Sequence, residues 1–323
     1  MTGNVLITAE SVASCRPALD RLEQAGCRVD VVTGRKFEER WFIDCARDAH
    51  ALVFSMDPIG ARIIDALPHL KIIARPGVGL DTVDVAACTR RRIPVTIASG
   101  LNAESVADYT FGLLLAAARG IVDSTLSCRQ RQWTRYTGTE VWNKTLTIVG
   151  PGRIGRAVAR RARGFDMRVL GVTRTSTAGV LEPDGIELVD LATGLASADF
   201  VSLHAPLTPA TRHLMNRERL ALLRPGAFLI NTARGGLVDE HALVEALQAG
   251  HVAGAAVDVL EDEGAGSSSR LPGTPGVLVT PHTATYTREA VTRVSISVAD
   301  AIIAVLQGGR PQHVANPEIY NDD

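Results

Sequence analysis

Three side chains able to move a proton or hold an anion sit where apolar runs of this 323-residue sequence break off: Arg234 in AFLINTARGG, Glu263 in VLEDE and His282 in VLVTPHTA. An imidazole exchanges a proton near neutrality, and a carboxylate beside it favours the imidazolium and fixes the ring. A guanidinium holds a carboxylate through paired hydrogen bonds and polarises a neighbouring carbonyl. Read singly, each has a plainer role: His282 after a proline as a structural histidine, Glu263 as one loop acid beside Glu261 and Asp262, and Arg234 as a surface turn residue. Their shared position at strand ends is what sets the three apart.

Proton exchange of this kind needs something to take the electrons, and a second pattern supplies it. LTIVGPGRIG, running from Leu146 to Gly155, passes from a β-branched run into three glycines and then into AVARRARGF, which has helical spacing. Gly150 provides a tight turn, Gly152 removes a Cβ that would keep phosphates away, and Gly155 lets helix and strand approach. With a second strand over Arg168 to Val172 this is a β-α-β unit for a dinucleotide, whose pyrophosphate faces the helix start at Arg153 and Ile154. At the end of the second strand, where an NAD site usually carries an acid, stand Thr173, Arg174 and Thr175. An arginine among hydroxyls suits a 2′-phosphate, so NADP is favoured over NAD. The plainer reading keeps Arg174 as a solvated loop residue at a less selective site.

Several elements must position these groups. Strands are expected at VLIT (Val5 to Thr8), CRVDVV, AHALVFS, LKIIAR and IPVTIA, with helices over SCRPALDRLEQAG and around Ile63 to Leu67. Alternating strands and helices imply a doubly wound parallel sheet. The fourth strand leads into RPGVGLDTVD, whose glycines free backbone amides, at Val78 and Gly79, to face an anion. Lys71 and Arg75 are basic residues close enough in sequence to meet a phosphate there.

Asn102 is expected to cap a long helix, NAESVADYTFGLLLAAARG, apolar enough to cover a sheet or a partner subunit, and a homodimer is expected. The stretch QWTRYTGTEVWNKTL reads as a loop. Later strands end at His204-Ala205-Pro206, at Thr232-Ala233 before Arg234, at Asp258 and at His282; His204, Ala205, Pro206, Thr232, Ala233, Asp258, His282 and Ala284 are candidates to line the cofactor site. EDEGAGSSSRLPGTPG reads as a flexible loop. A last helix follows Arg288, with a tail that returns to the first unit. The expected division is residues 1–100 with 289–323 for the substrate and residues 101–288 for the dinucleotide, both α/β with doubly wound parallel sheets.

Composition narrows the function classes. With 46% hydrophobic and 21% charged residues and a net charge of −1, the chain has no basic field for nucleic acid or an anionic membrane. Arg90-Arg91-Arg92 and Arg160-Arg161 read as solvated helix faces. Five cysteines without paired spacing argue for free thiols in a reducing compartment and against a metal site. MTGNVLITAESVA lacks the features of a secretory signal, so the cytoplasm is expected.

RPGVGLDTVD, NAESVADYTFGLLLAAAR, GPGRIGRAVARRARGFDMRVLGV, LHAPLTPATRHLMN, NTARGGLVDEHAL, DVLEDE and TPHTATYTREA together resemble the D-isomer-specific 2-hydroxyacid dehydrogenases, nearest the phosphoglycerate dehydrogenase branch. The resemblance implies a Rossmann cofactor domain and a flavodoxin-like substrate domain with the cofactor in the cleft between them. It also implies hydride transfer to C2 of a 2-keto acid. By the same resemblance Arg234 binds the substrate carboxylate and carbonyl, Glu263 tunes the histidine, His282 is the acid/base, and the amides at Val78 and Gly79 hold the carboxylate. The sequence departs from the family pattern at Pro76, Thr173 and Gly264. Formate dehydrogenases pair the histidine with a neutral glutamine, unlike Glu263. Phosphite oxidation and a dinucleotide-sensing, corepressor-like role remain the rival readings.

Overall fold

The computed structural model describes residues 3–174, 179–264 and 266–321. The chain forms two α/β units, Met1–Asn102 with Tyr286–Asp323, and Ala103–Thr285.

In the first unit β1 (Asn4–Ile7), α1 (Glu10–Ala13), α2 (Arg16–Gln24), β2 (Arg28–Val31), α3 (Glu39–Ala46), β3 (Ala51–Val53), α4 (Ala61–Ala66), β4 (Ile72–Ala74), α5 (Val85–Arg90) and β5 (Val95–Thr96) follow in order. The strands pair in parallel in the order β2-β1-β3-β4-β5. Side chains alternate across this sheet: Val5, Ile7, Val53 and Ile72 enter one core, and Leu6, Leu52 and Ile73 enter the other with Phe42 and Ile63. The helix expected to begin at Ser14 is shorter at its start, and a separate turn of helix precedes it. Pro17 sits in the first turn of α2, where its missing N–H costs nothing, whereas a helix continuous with α1 would have needed that donor. The sequence reading passed over α3 and α5. The latter is capped by Asp84, whose side chain accepts from the Ala87 amide at 2.8 Å.

The second unit contains α6 (Ala103–Arg119), α7 (Ile121–Arg129), β6 (Thr145–Val149), α8 (Arg153–Arg163), β7 (Arg168–Val172), β8 (Glu187–Leu188), α9 (Leu191–Ser197), β9 (Phe200–Leu203), α10 (Arg217–Ala221), β10 (Ala227–Asn231), α11 (Glu240–Gln248), β11 (Val252–Val257) and β12 (Val277–Val279). Its sheet order is β12-β11-β10-β9-β6-β7-β8, every neighbouring pair parallel. The chain runs outward from β6 to β8, then crosses to the other side of β6 at β9. That reversal, between β6 and β9, is where an open α/β sheet leaves a crevice for a ligand.

Helix α6 packs on α8 and over β10 and β11, burying Phe111, Leu113 and Leu114. The side-chain cap expected at Asn102 does not form: the residue is buried and its Oδ1 accepts no hydrogen bond. Arg160 and Arg161 pair with Glu104, and Arg161 also with Asp108, so they tie α8 to α6 rather than only facing solvent. Gly120, at φ +59°, ends α6, and α7 leaves at 66°. No single helix among the described residues is long and apolar enough to cross a membrane.

The chain then returns to the first unit. Helix α12 (Arg288–Leu306) adds Val298, Ala299, Ile302 and Leu306 to the core of Val5 and Ile7. In the tail, the Asn316 side chain accepts from the Val95 amide at 2.9 Å and donates to the Ile93 carbonyl at 2.9 Å.

Candidate active site

The glycine turn after β6 has the geometry that a dinucleotide requires. Gly150 adopts φ +90°, and a Cβ there would lie 2.8 Å from the Ala205 nitrogen and from the His204 carbonyl carbon. Only glycine lets this turn pass under the tip of β9. At Gly155 a Cβ would come within 2.7 Å of the Gly150 carbonyl, so α8 can approach β6 only without it. At Gly152 a Cβ would meet nothing within 4 Å. The turn is thus tight on two sides and open on the third, in front of the α8 N-terminus with Arg153 and Ile154 in its first turn. Room, backbone amides and a helix N-terminus together fit a pyrophosphate.

Beside this turn, burial pushes the His204 imidazole down to about 4, so the ring is neutral at physiological pH. Its Nε2 lies 2.8 Å from Ser202 Oγ. A hydroxyl donating to Nε2 leaves the ring proton on Nδ1. At the end of β7, Thr173 is half-buried and Arg174 exposed, whereas Thr175 lies outside the described residues. The acids next in sequence, Glu182 and Asp184, fold back to α8, where both pair with Arg156.

The ends of β10, β11 and β12 carry the acid/base candidates. Asp258, 1% exposed, organises the turn after β12. One of its oxygens accepts from Thr280 Oγ1 at 2.6 Å and from the Thr283 amide at 2.9 Å, and the other accepts from the Ala284 amide at 2.8 Å. Its carbonyl takes the His282 amide at 2.8 Å. These bonds hold His282 in the left-handed region at φ +51°, a conformation a non-glycine residue keeps only when its surroundings impose it. The polar groups of Asp258 and Ala284, both expected at the cofactor, are therefore engaged with each other.

Held this way, His282 places Nδ1 2.9 Å from Glu263 Oε2, with each side chain about a third exposed. With Nδ1–H donating to the carboxylate, Nε2 is the position that can give or take a proton. Arg234 stands at the end of β10. Asn231, 1% exposed, brackets it by accepting from the Ala233 amide at 3.0 Å and donating to the Arg234 carbonyl at 2.9 Å. The guanidinium gives NH1 to the Ala233 carbonyl at 2.7 Å. Val78 and Gly79 follow β4 in the other unit, on a loop whose Gly77 carbonyl accepts from the Ala98 amide at 3.0 Å.

Residues 111–284 match the family described as D-isomer specific 2-hydroxyacid dehydrogenase, NAD binding domain. The chain belongs to this family. A glyoxylate reductase of Korarchaeum cryptofilum is 40% identical over 284 residues, 86% of each chain. A D-3-phosphoglycerate dehydrogenase of Methanocaldococcus jannaschii is 41% identical over 303 residues, 93% of this chain, which spans only 57% of that longer protein. A crystal structure of a Thermus thermophilus protein superposes with a TM-score of 0.89 at 38% identity, covering 97% of this chain and 99% of that one. Membership makes the chain an oxidoreductase of 2-hydroxy acids with a nicotinamide-nucleotide domain.

Within this dehydrogenase the three neighbouring loop acids separate by partner. Glu261 accepts from Arg212 at 2.8 Å and lies 2.9 Å from His213 Nε2, Asp262 accepts from the Ser268 amide at 2.8 Å, and Glu263 faces His282. The Ser268 bonds hold the Asp262 carboxyl below the usual carboxylate range. The Glu261 amide donates to Glu240 at 2.8 Å, and Glu240 also accepts from Ser269 Oγ. In the stretch expected to be flexible, Ser267 and Ser268 bond to Asp262 and Ser269 to Glu240, and Leu271 is buried in a 3-10 turn over Leu271–Gly273.

Sequence reasoning missed Asn231 and Gly235. A Cβ on Gly235 would fall 1.9 Å from the Leu260 carbonyl carbon, so the arginine loop lies directly against the loop that carries Glu263. A polar residue ending an otherwise apolar strand run, followed by a glycine pair, was the available signal.

Proposed function

We propose that this chain reduces a 2-keto acid to the D-2-hydroxy acid, and runs the reverse oxidation, with His282 as the proton-transfer group. A bound nicotinamide dinucleotide supplies or accepts the hydride. Nε2 of His282 protonates the developing alkoxide in reduction and takes the hydroxyl proton in oxidation, while Glu263 holds Nδ1 and stabilises the cationic ring. Arg234 binds the substrate carboxylate and polarises the ketone, and the amides at Val78 and Gly79 bind the same carboxylate. The observation that carries this reading is the 2.9 Å pair between His282 and Glu263, held at a strand end by a buried carboxylate. His282→Ala is expected to lower turnover by about three orders of magnitude with cofactor affinity unchanged, the scale of a lost general acid/base. Unchanged turnover on glyoxylate and hydroxypyruvate refutes the assignment.

For the cofactor we favour NADP. Arg174 is exposed at the end of β7, Thr173 stands where an acid would reject a 2′-phosphate, and Glu182 and Asp184 are neutralised by Arg156. A kcat/KM at least ten times higher with NADPH than with NADH is expected, and the opposite preference overturns it. Ile121 and Leu126 on α7, with Trp133 and Tyr136 beyond it, are each at least 44% exposed, apolar surface that a second copy of this chain would cover. Light scattering at the mass of a dimer tests this. The five free cysteines suit a reducing compartment such as the cytoplasm.

A further inference from the structure

Chemistry at C2 leaves the rest of the substrate open. A phosphorylated three-carbon acid needs cations near the loop that holds its carboxylate, and Arg75, at the base of that loop, is the evident one in sequence. The structure engages it elsewhere. Arg75 is 5% exposed, its NH1 donates to Thr82 Oγ1 at 3.0 Å, and its guanidinium carbon lies 4.8 Å from the centre of the Phe54 ring. Phe54 is itself fully buried. It follows β3 as Arg75 follows β4, and the β3–β4 register, Ala51 with Ile72 and Leu52 with Ile73, carried on by two residues sets ring and guanidinium side by side.

Other cations of this unit are placed or engaged elsewhere. Lys71 precedes β4, at the opposite end of the strand from the loop. Arg35 and Lys36 follow β2, three strand spacings from β4 or about 14 Å, whereas four bonds from carboxylate carbon to phosphorus span roughly 5 Å. Arg35 also lies over the Trp41 ring at 4.9 Å. Arg293 gives two nitrogens to the Leu101 carbonyl, each at 3.1 Å. On the segment after Phe54 the group presented is an acid: Asp57, half-buried, accepts from Thr8 Oγ1 at 2.8 Å. A phosphate dianion brought there would meet a like charge, and the guanidinium at the base of the loop, Arg75, is already engaged by Thr82 and Phe54.

We infer that the substrate is a small 2-keto acid without a phosphate, of the glyoxylate or hydroxypyruvate class, and that the Phe54–Arg75 stack with Asp57 excludes the phosphorylated acid. The inference rests on the dehydrogenase reading above and narrows it.

The test is kcat/KM of the full chain for glyoxylate, hydroxypyruvate and 3-phosphohydroxypyruvate, with NADH and with NADPH. Either unphosphorylated acid is expected to exceed the phosphorylated one by about 100-fold, the scale of charge-assisted bonds left unmade. Equal or better use of 3-phosphohydroxypyruvate overturns the inference and leaves the dehydrogenase reading intact, whereas no turnover of any of the three ends both. Phe54→Leu, which uncovers the guanidinium, is expected to move the ratio of phosphorylated to unphosphorylated kcat/KM upward about 5-fold. A ratio is independent of the fraction of protein that folds, so an unmoved one removes the stack as the cause.

Discussion

Gly235→Ala is the sharpest test of how the two loops of this site depend on each other. The added methyl would sit 1.9 Å from the Leu260 carbonyl carbon, 2.1 Å from its oxygen and 2.4 Å from the Glu261 nitrogen. All three are backbone atoms, so no side chain can rotate aside. Moving from 1.9 Å to the 3.0 Å below which real Cβ contacts are essentially never found displaces one loop from the other by about 1.1 Å. The displaced segment carries Glu263, whose bond to His282 is 2.9 Å long and cannot survive such a shift in place. A misplacement of about 1 Å costs on the order of 100-fold in rate. The glycine turn at Gly150 lies on another strand, so cofactor affinity should change less than about threefold. The assay is single-turnover reduction of glyoxylate by stopped-flow absorbance of the reduced cofactor, with its Kd measured by fluorescence on the same preparation. A folded variant that binds cofactor and turns over at the parental rate refutes the coupling.

Two further outcomes follow from the same geometry. Asp258→Asn replaces a carboxylate that accepts three hydrogen bonds with a group that can accept only at one oxygen, and should cost about 3 kcal/mol of stability and about 100-fold in kcat, read by urea unfolding and steady-state assay. An unchanged kcat would show that the turn does not set His282. Because burial lowers His204 from 6.5 to about 4, the unfolded chain binds a proton in that window that the folded chain refuses. Stability from this group is therefore present above pH 6.5 and is lost as pH falls toward 4, by roughly 2 kcal/mol once solvent access to part of the ring is allowed for. His204→Gln should flatten that acid limb in urea midpoints measured from pH 7 to 4, and parallel curves would contradict it.

The sheets were legible because they rest on local pattern. Short β-branched runs cut by glycine mark β1, β6 and β7, and three glycines in LTIVGPGRIG mark the turn without any tertiary information. Elements with little local signal of their own were not: α3 is eight residues long, α7 has only Ser127 buried, and β8 is two residues long. The family pattern picked out Glu263 among three adjacent acids, but only the fold shows that Glu261 answers to Arg212 and His213 and Asp262 to Ser268. Arg75 was ambiguous for the same reason. Its fate depends on a ring at the end of the preceding strand, beyond an intervening helix, and nothing in RPGVG announces Phe54.

The first unit is completed by α12, which follows the entire second unit in the chain. Val5 and Ile7 share their core with Val298, Ile302 and Leu306, so that core stays half-built on the ribosome until the whole second unit and then α12 have emerged. The Ala103–Thr285 unit is contiguous and can close first. Until α12 arrives, part of the apolar face formed by β1, β3 and β4 is left open to water, so the interval of greatest aggregation hazard during synthesis lasts until residues 288–306 emerge, after the nucleotide-binding half has already formed.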